Sequence, residues 1–130
     1  MTQAALGFLL RNLREERGLT LRELAQLAEV DHAYVYRLET GAKESPSEEV
    51  LSKLIRALKA PKREAGMIRY LAANTATDAG LVAYVRQEAA VTFEEFAAAA
   101  SMAFRGAGRP DYATRIERVR RFLTEDDGHG

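Results

Sequence analysis

The sequence predicts an all-α protein, five helices followed by a smaller module of three. Leu and Ala dominate the apolar residues while Pro occurs only three times in 130 residues, a balance that favours helix over sheet. Apolar side chains recur at spacings of three and four, which places them on one face of a helix. Ser, Thr or Asp stands just ahead of most of these periodic stretches, where a side-chain oxygen can accept from unpaired helix amides.

Helix one is expected over Ala4 to Arg17, with Leu6, Leu9, Leu10 and Leu13 on its buried side and Gly18 closing it. Thr20 with Glu23 forms a capping box for a short second helix, Leu21 to Ala28, whose apolar face continues through Leu24, Ala25 and Leu27. After the tight Glu29-Val30 connection, Asp31 is expected to cap a third helix that runs to Thr40, and Gly41 reverses the chain. Gly41 to Pro46 reads as a loop, and Ser47 caps a fourth helix carrying Val50, Leu51, Leu54, Ile55 and Leu58. A fifth begins near Pro61 and buries Met67, Ile68 and Leu71.

The small polar stretch Asn74 to Thr77 marks an expected boundary, giving modules 1–74 and 75–130. Asp78 heads the next helix, with Leu81, Val82 and Val85 inside. Thr92 and Glu95 form a second capping box ahead of Phe93, Phe96 and Phe104. Asp111 opens the last helix, where Tyr112, Ile116, Val119, Phe122 and Leu123 share a face before the acidic tail from Glu125. Three short helices make too small a core to stand alone, so this module is expected to pack on the first or on a second copy. Homodimerisation is the favoured expectation, and a monomer with an enlarged core is the alternative.

The chain has no cysteine, which excludes disulfides, thiol chemistry and Cys-ligated metals. No apolar run approaches a membrane span and no cleavable signal opens the chain, so a soluble, cytoplasmic protein is expected. Nineteen basic residues balance nineteen acidic ones, which argues against a general polyanion binder. An enzyme is not expected, and neither a metal nor a cofactor. The two histidines, His32 and His129, are remote in sequence, and no nucleophile or ligand cluster accompanies either. The carboxylates read as caps and exposed faces.

The ordered residues Gly18-Leu-Thr-Leu-Arg-Glu-Leu-Ala-Gln-Leu-Ala-Glu-Val-Asp31 and Ala33-Tyr-Val-Tyr-Arg-Leu-Glu-Thr-Gly41 closely resemble the Xre family, the Cro and phage-repressor type of helix-turn-helix. The resemblance covers roughly residues 6 to 71. It implies a repressor-like domain in which small Ala25 lets helix three approach, Val35 and Leu38 face inward, and the second helix of the motif enters the DNA major groove. His32 and Ala33 then lie nearest the base edges, His32 able to donate or accept and Ala33 to touch a thymine methyl. Tyr36 follows one turn on. Tyr34 takes a phosphate or packs on helix four, and Arg37 reaches a phosphate, a guanine edge or a surface salt bridge. Thr20, Arg22 and Lys43 are the expected phosphate contacts. Arg14 and Glu39 match a pair that bridges helix one to the end of the recognition helix, a structural role. Two departures matter. Leu21 stands where many relatives carry a phosphate-binding Gln, and the loop before Pro46 is one residue longer and contains Glu44. The Gln or Asn that often reads adenine is also absent, so no operator sequence follows.

The pattern Leu81-Val82, Val91-Thr92-Phe93, Phe104-Arg105-Gly106 and Arg109-Pro110, with Val119-Arg-Arg-Phe-Leu123 near the end, is similar to the C-terminal module of DdrO-type repressors. That similarity implies dimerisation and cleavage by an ImmA/IrrE-type metallopeptidase, with Phe104-Arg105 the candidate scissile bond. A solvated turn is the alternative for Arg105 and Arg109. Repression by a homodimer on a pseudo-palindromic operator is therefore the expected function. An antitoxin that neutralises a toxin partner and represses its own operon is the competing one.

Overall fold

A computed structural model describes residues 4–42, 46–102 and 111–128, with side chains to residue 124. Among the described residues the secondary structure is helical throughout: α1 Ala5–Glu16, α2 Leu21–Ala28, α3 His32–Thr40, α4 Glu48–Leu58, α5 Lys62–Ala73, α6 Ala79–Gln87, α7 Phe93–Ser101 and α8 Tyr112–Gly128. The all-α expectation holds. Phe104, placed on an apolar face by its spacing, lies outside the described residues.

The central packing element is α1, which lies against α3, α5 and α6. Leu9 and Leu10 on it are fully buried, and a Leu withdrawn from water contributes on the order of 1.5 to 3 kcal/mol. Gly7, one turn before Leu10, faces the carboxyl end of α3. A Cβ there would press on the Glu39 carbonyl oxygen and lie 2.6 Å from that of Leu38, so only glycine permits this approach of helix to backbone. The N-terminal helices and α6 to α8 contribute to one contiguous apolar cluster.

Both capping boxes are present. Thr20 Oγ1 accepts from the Glu23 amide at 3.1 Å while Glu23 Oε1 accepts from the Thr20 amide at 2.8 Å, and Thr92 with Glu95 repeats the arrangement at 3.1 and 3.0 Å. Ser47 accepts from the Val50 amide at 3.2 Å. Asp31 departs from expectation: it occupies the N-cap of α3 without a side-chain cap bond, its carboxylate lying instead 3.8 Å from His32 Nδ1. Pro61 stands at the N-cap of α5, in keeping with a helix expected to begin near it.

Polar contacts bind α6 to the N-terminal helices. Glu64 is buried, which corrects the expectation that the carboxylates sit as caps and on exposed faces. It accepts from Arg63 Nη2 at 2.8 Å and Arg86 Nη1 at 2.5 Å. Arg86 also donates to Asn12 Oδ1 at 3.1 Å and pairs with Glu16, so one guanidinium on α6 reaches α1 and α5 together. Burial opposes the charged form of Glu64, but the bonds and charges of the two arginines prevail and hold its carboxyl below the usual range.

Aromatic rings join α5 to α7, Tyr70 meeting Phe96 edge-on at 5.6 Å and Phe93 at 6.5 Å. The final helix packs on α7. Tyr112 Oη donates to Asp78 Oδ2 at 2.6 Å, and Arg115 Nη2 donates to the Ala99 carbonyl at 2.8 Å. Ile116 and Val119 are buried, but Phe122, expected on the same face, is 68% exposed. Six positions from Ile116 is well short of two full turns, so Phe122 is carried round the helix away from the buried stripe.

Candidate nucleic-acid interface

Orientation of α3 is fixed from its inner side. Val35 and Leu38 are buried to 0% and 1% exposure, which turns the opposite face of the nine-residue helix outward. The helix enters from a sharp turn in which Glu29 adopts a left-handed conformation, φ 55°, and the Val30 amide donates to the Ala25 carbonyl at 3.0 Å. Its far end is clamped. Arg14 Nε donates to Glu39 Oε2 at 2.7 Å and Nη2 to Oε1 at 3.0 Å, while Nη1 donates to the Leu19 carbonyl at 2.8 Å. The Glu39 hydrogen bond and charge raise the Arg14 pKa above its ordinary value, so the guanidinium keeps its charge.

The outward face carries His32, Tyr36 and Arg37, all exposed, with Tyr36 at 56%. Ala33 and Tyr34 are half-buried. Burial raises the Tyr34 phenol pKa despite the opposing charge of Arg37, so at neutral pH the hydroxyl keeps its proton. His32 and Arg22 line one open groove together with Gln26, between the exposed side of α2 and the start of α3. A cation, an imidazole and a carboxamide line it beside the carboxylates of Glu29 and Asp31, so it offers both donors and acceptors, as base edges require, while the two acids oppose a phosphate.

Thr20 sits at the amino end of α2. Its amide and one acceptor site are taken by the capping box, which leaves the hydroxyl proton to donate and the Leu21 and Arg22 amides without intrahelical partners. The Glu23 carboxylate in that first turn opposes the attraction of the helix end for an anion. Lys43, Phe104 and Arg105 lie outside the described residues.

Two features of the site escaped the motif. Gln26 joins the groove from an exposed α2 position that carries no apolar signal. Gly7 sets the distance between α1 and α3, and a glycine inside a helical pattern was its one trace in the sequence. Among the described residues no group of three His, Cys, Asp or Glu side chains is placed to hold a metal ion, and no helix is long and apolar enough to cross a membrane.

Residues 5–65 match the helix-turn-helix domain family, which covers α1 to α4 and the start of α5. The transcriptional regulator ClgR of Mycobacterium tuberculosis is 39% identical over 61 residues, 47% of this chain and 54% of that protein. The HTH-type transcriptional repressor RghR of Bacillus subtilis is 44% identical over 55 residues, 42% of this chain and 41% of that one. The matched region therefore spans about half the length of these relatives. The crystal structure of the clp gene regulator ClgR from C. glutamicum is also similar, at 39% identity over 55% of this chain and 88% of that one, with a TM-score of 0.45. The N-terminal half of the chain is a helix-turn-helix domain.

Proposed function

We propose that the protein is a sequence-specific DNA-binding transcriptional repressor that acts as a homodimer on a pseudo-palindromic operator. The observation that carries the reading is the division of α3 into a locked inner face and a free outer one. Val35, Leu38 and Glu39 are buried, whereas His32, Tyr36 and Arg37 are exposed. A helix held rigidly on one side presents its other side at fixed distances, which reading base edges in a groove demands. Relatives matched over the same region bear the names transcriptional regulator and transcriptional repressor.

In this reading His32 and Ala33 contact bases, Tyr36 and Arg37 extend the contact along the groove, and Tyr34, Thr20, Arg22 and Lys43 hold phosphates. Arg14 and Glu39 position the helix without touching DNA. A twofold pair would set the two α3 helices about one DNA turn, roughly 34 Å, apart. The test is selection from a random duplex pool by the full chain. Enrichment of an inverted repeat supports the proposal; recovery of unrelated sequences whose affinity depends on salt alone removes it.

Inactivation by an ImmA/IrrE-type metallopeptidase at Phe104-Arg105 belongs to the same proposal and rests on the resemblance of the C-terminal pattern. Incubation with such a peptidase and its metal should release a fragment ending at Phe104. An intact chain after prolonged incubation would dismiss that mechanism. Co-purification of a stoichiometric toxin would move the assignment to an antitoxin.

A further inference from the structure

The helix α3 is held by α1, and α1 is itself held from a second side. Each residue of a helix turns by about 100°, so side chains two positions apart point in nearly opposite directions. Gly7 and Arg14 share one face of α1 and fix α3, the first through the backbone at Leu38 and Glu39, the second through the Glu39 carboxylate. Asn12 and Glu16 lie on the other face, and Arg86 of α6 holds both. The same guanidinium reaches buried Glu64 on α5. Arg63, the second partner of Glu64, donates through Nη1 to the carbonyls of Glu88 at 2.8 Å and Val91 at 2.9 Å. The carboxyl end of α6 and the turn after it are thus latched to α1 and α5.

The amino end of α6 is latched to α8. Asp78 caps α6 with one carboxylate oxygen, Oδ1 accepting from the Gly80 amide at 2.8 Å, and takes the Tyr112 hydroxyl on the other at 2.6 Å. Gly80 admits the tyrosine, since a Cβ there would collide with its hydroxyl. Between the two latches Leu81, Val82 and Val85 are fully buried, and α6 packs on α1. A nine-residue helix fastened at both ends and close-packed between them passes a displacement on instead of absorbing it.

We propose that α8 sets the position of α3 through α6 and α1, with Tyr112 and Arg86 as positioning residues, so that the C-terminal helices are a working part of each DNA-reading unit. Freeing α8 then lowers the affinity of a single chain for its half-site, whether or not that chain is paired. Neither residue is among those assigned to DNA. The inference rests on the reading of α3 as the DNA-facing helix and adds what controls its setting.

The test uses the full chain, one half-site of the selected operator and a scrambled duplex of equal length. Glu64→Gln with Arg86→Met removes the latch to α1 without leaving a buried carboxylate unpaired. It should weaken half-site binding roughly fivefold and leave scrambled binding unchanged. Equal loss on both duplexes would reflect only less folded chain and would overturn the proposal, as would undiminished half-site binding. Tyr112→Phe removes a single hydroxyl and serves if the double variant does not fold. It should cost roughly twofold on the half-site alone and move the amide resonances of α1 and α3 as well as those of α6 and α8. Resonance changes confined to α6 and α8 would overturn the coupling. An unsubstituted chain that prefers no duplex would end the reading of DNA itself, whereas variants that keep the full preference would end only this inference.

Discussion

Arg14 on α1 grips Glu39 on α3 through two parallel hydrogen bonds, 2.7 and 3.0 Å long, across 25 positions of sequence. The side chains are 13% and 6% exposed, so the pair is largely withdrawn from water. Fork-to-carboxylate geometry fixes direction as well as distance, and the carboxyl end of α3 cannot pivot while it persists.

Arg14→Ala is therefore expected to destabilise the fold by about 3 kcal/mol, the cost of leaving a buried carboxylate unpaired. Arg14→Lys should recover only part of that, since an ammonium cannot make the planar double contact. Urea denaturation of the three chains checks the order. Full stability in Arg14→Ala would contradict a clamping role.

Glycines at two positions should respond differently to alanine. At Gly7 the new methyl meets backbone on α3 that cannot step aside, so Gly7→Ala should cost on the order of 2 kcal/mol or more and weaken DNA binding by displacing α3. At Gly18 nothing lies within 4 Å of the added Cβ, and only the left-handed backbone, φ +67°, resists. Gly18→Ala should then cost about 1 kcal/mol and leave DNA affinity of the folded fraction unchanged. Thermal unfolding with parallel binding titrations separates the two.

Acid should loosen the junction between α6 and the N-terminal helices. The Glu64 carboxyl is held below its ordinary value of 4.5, so its contribution is complete above that pH and is lost as pH falls through the lower, folded-state value. Unfolding followed from pH 7 to pH 3 should show stability declining below about 4.5, and Glu64→Gln should flatten that part of the profile. An unchanged profile in the variant would place the acid sensitivity elsewhere.

Much of the helical frame was legible because local chemistry wrote it. Thr20 with Glu23 and Thr92 with Glu95 announce helix starts within four residues, and the Leu spacing of α1 declares its buried side. Asp31 misled because its type suits a cap, while its carboxylate faces His32 instead. Glu64 reads as one more capping or exposed carboxylate, and no local pattern announces its contact with Arg86, 22 positions on and on another helix. At the candidate site the motif gave the face of α3. It did not give Gln26, which joins the groove only once α2 and α3 are set together.

Phosphate contacts should be separable from base contacts by salt. Arg22→Ala is expected to weaken binding to all duplexes alike and to reduce the slope of log affinity against log salt by about 1. A loss confined to one preferred sequence would instead make Arg22 a base reader.

The most direct measurement is competition between the selected operator and scrambled duplex, made at several salt concentrations with a chain in which His32, Tyr36 and Arg37 are all replaced by alanine. The fold should survive, because all three side chains are exposed. Preference for the operator should then fall to near that for scrambled DNA while salt-dependent non-specific binding remains. A folded triple variant that still chooses the same operator with undiminished preference would contradict the assignment of α3 as the reading helix.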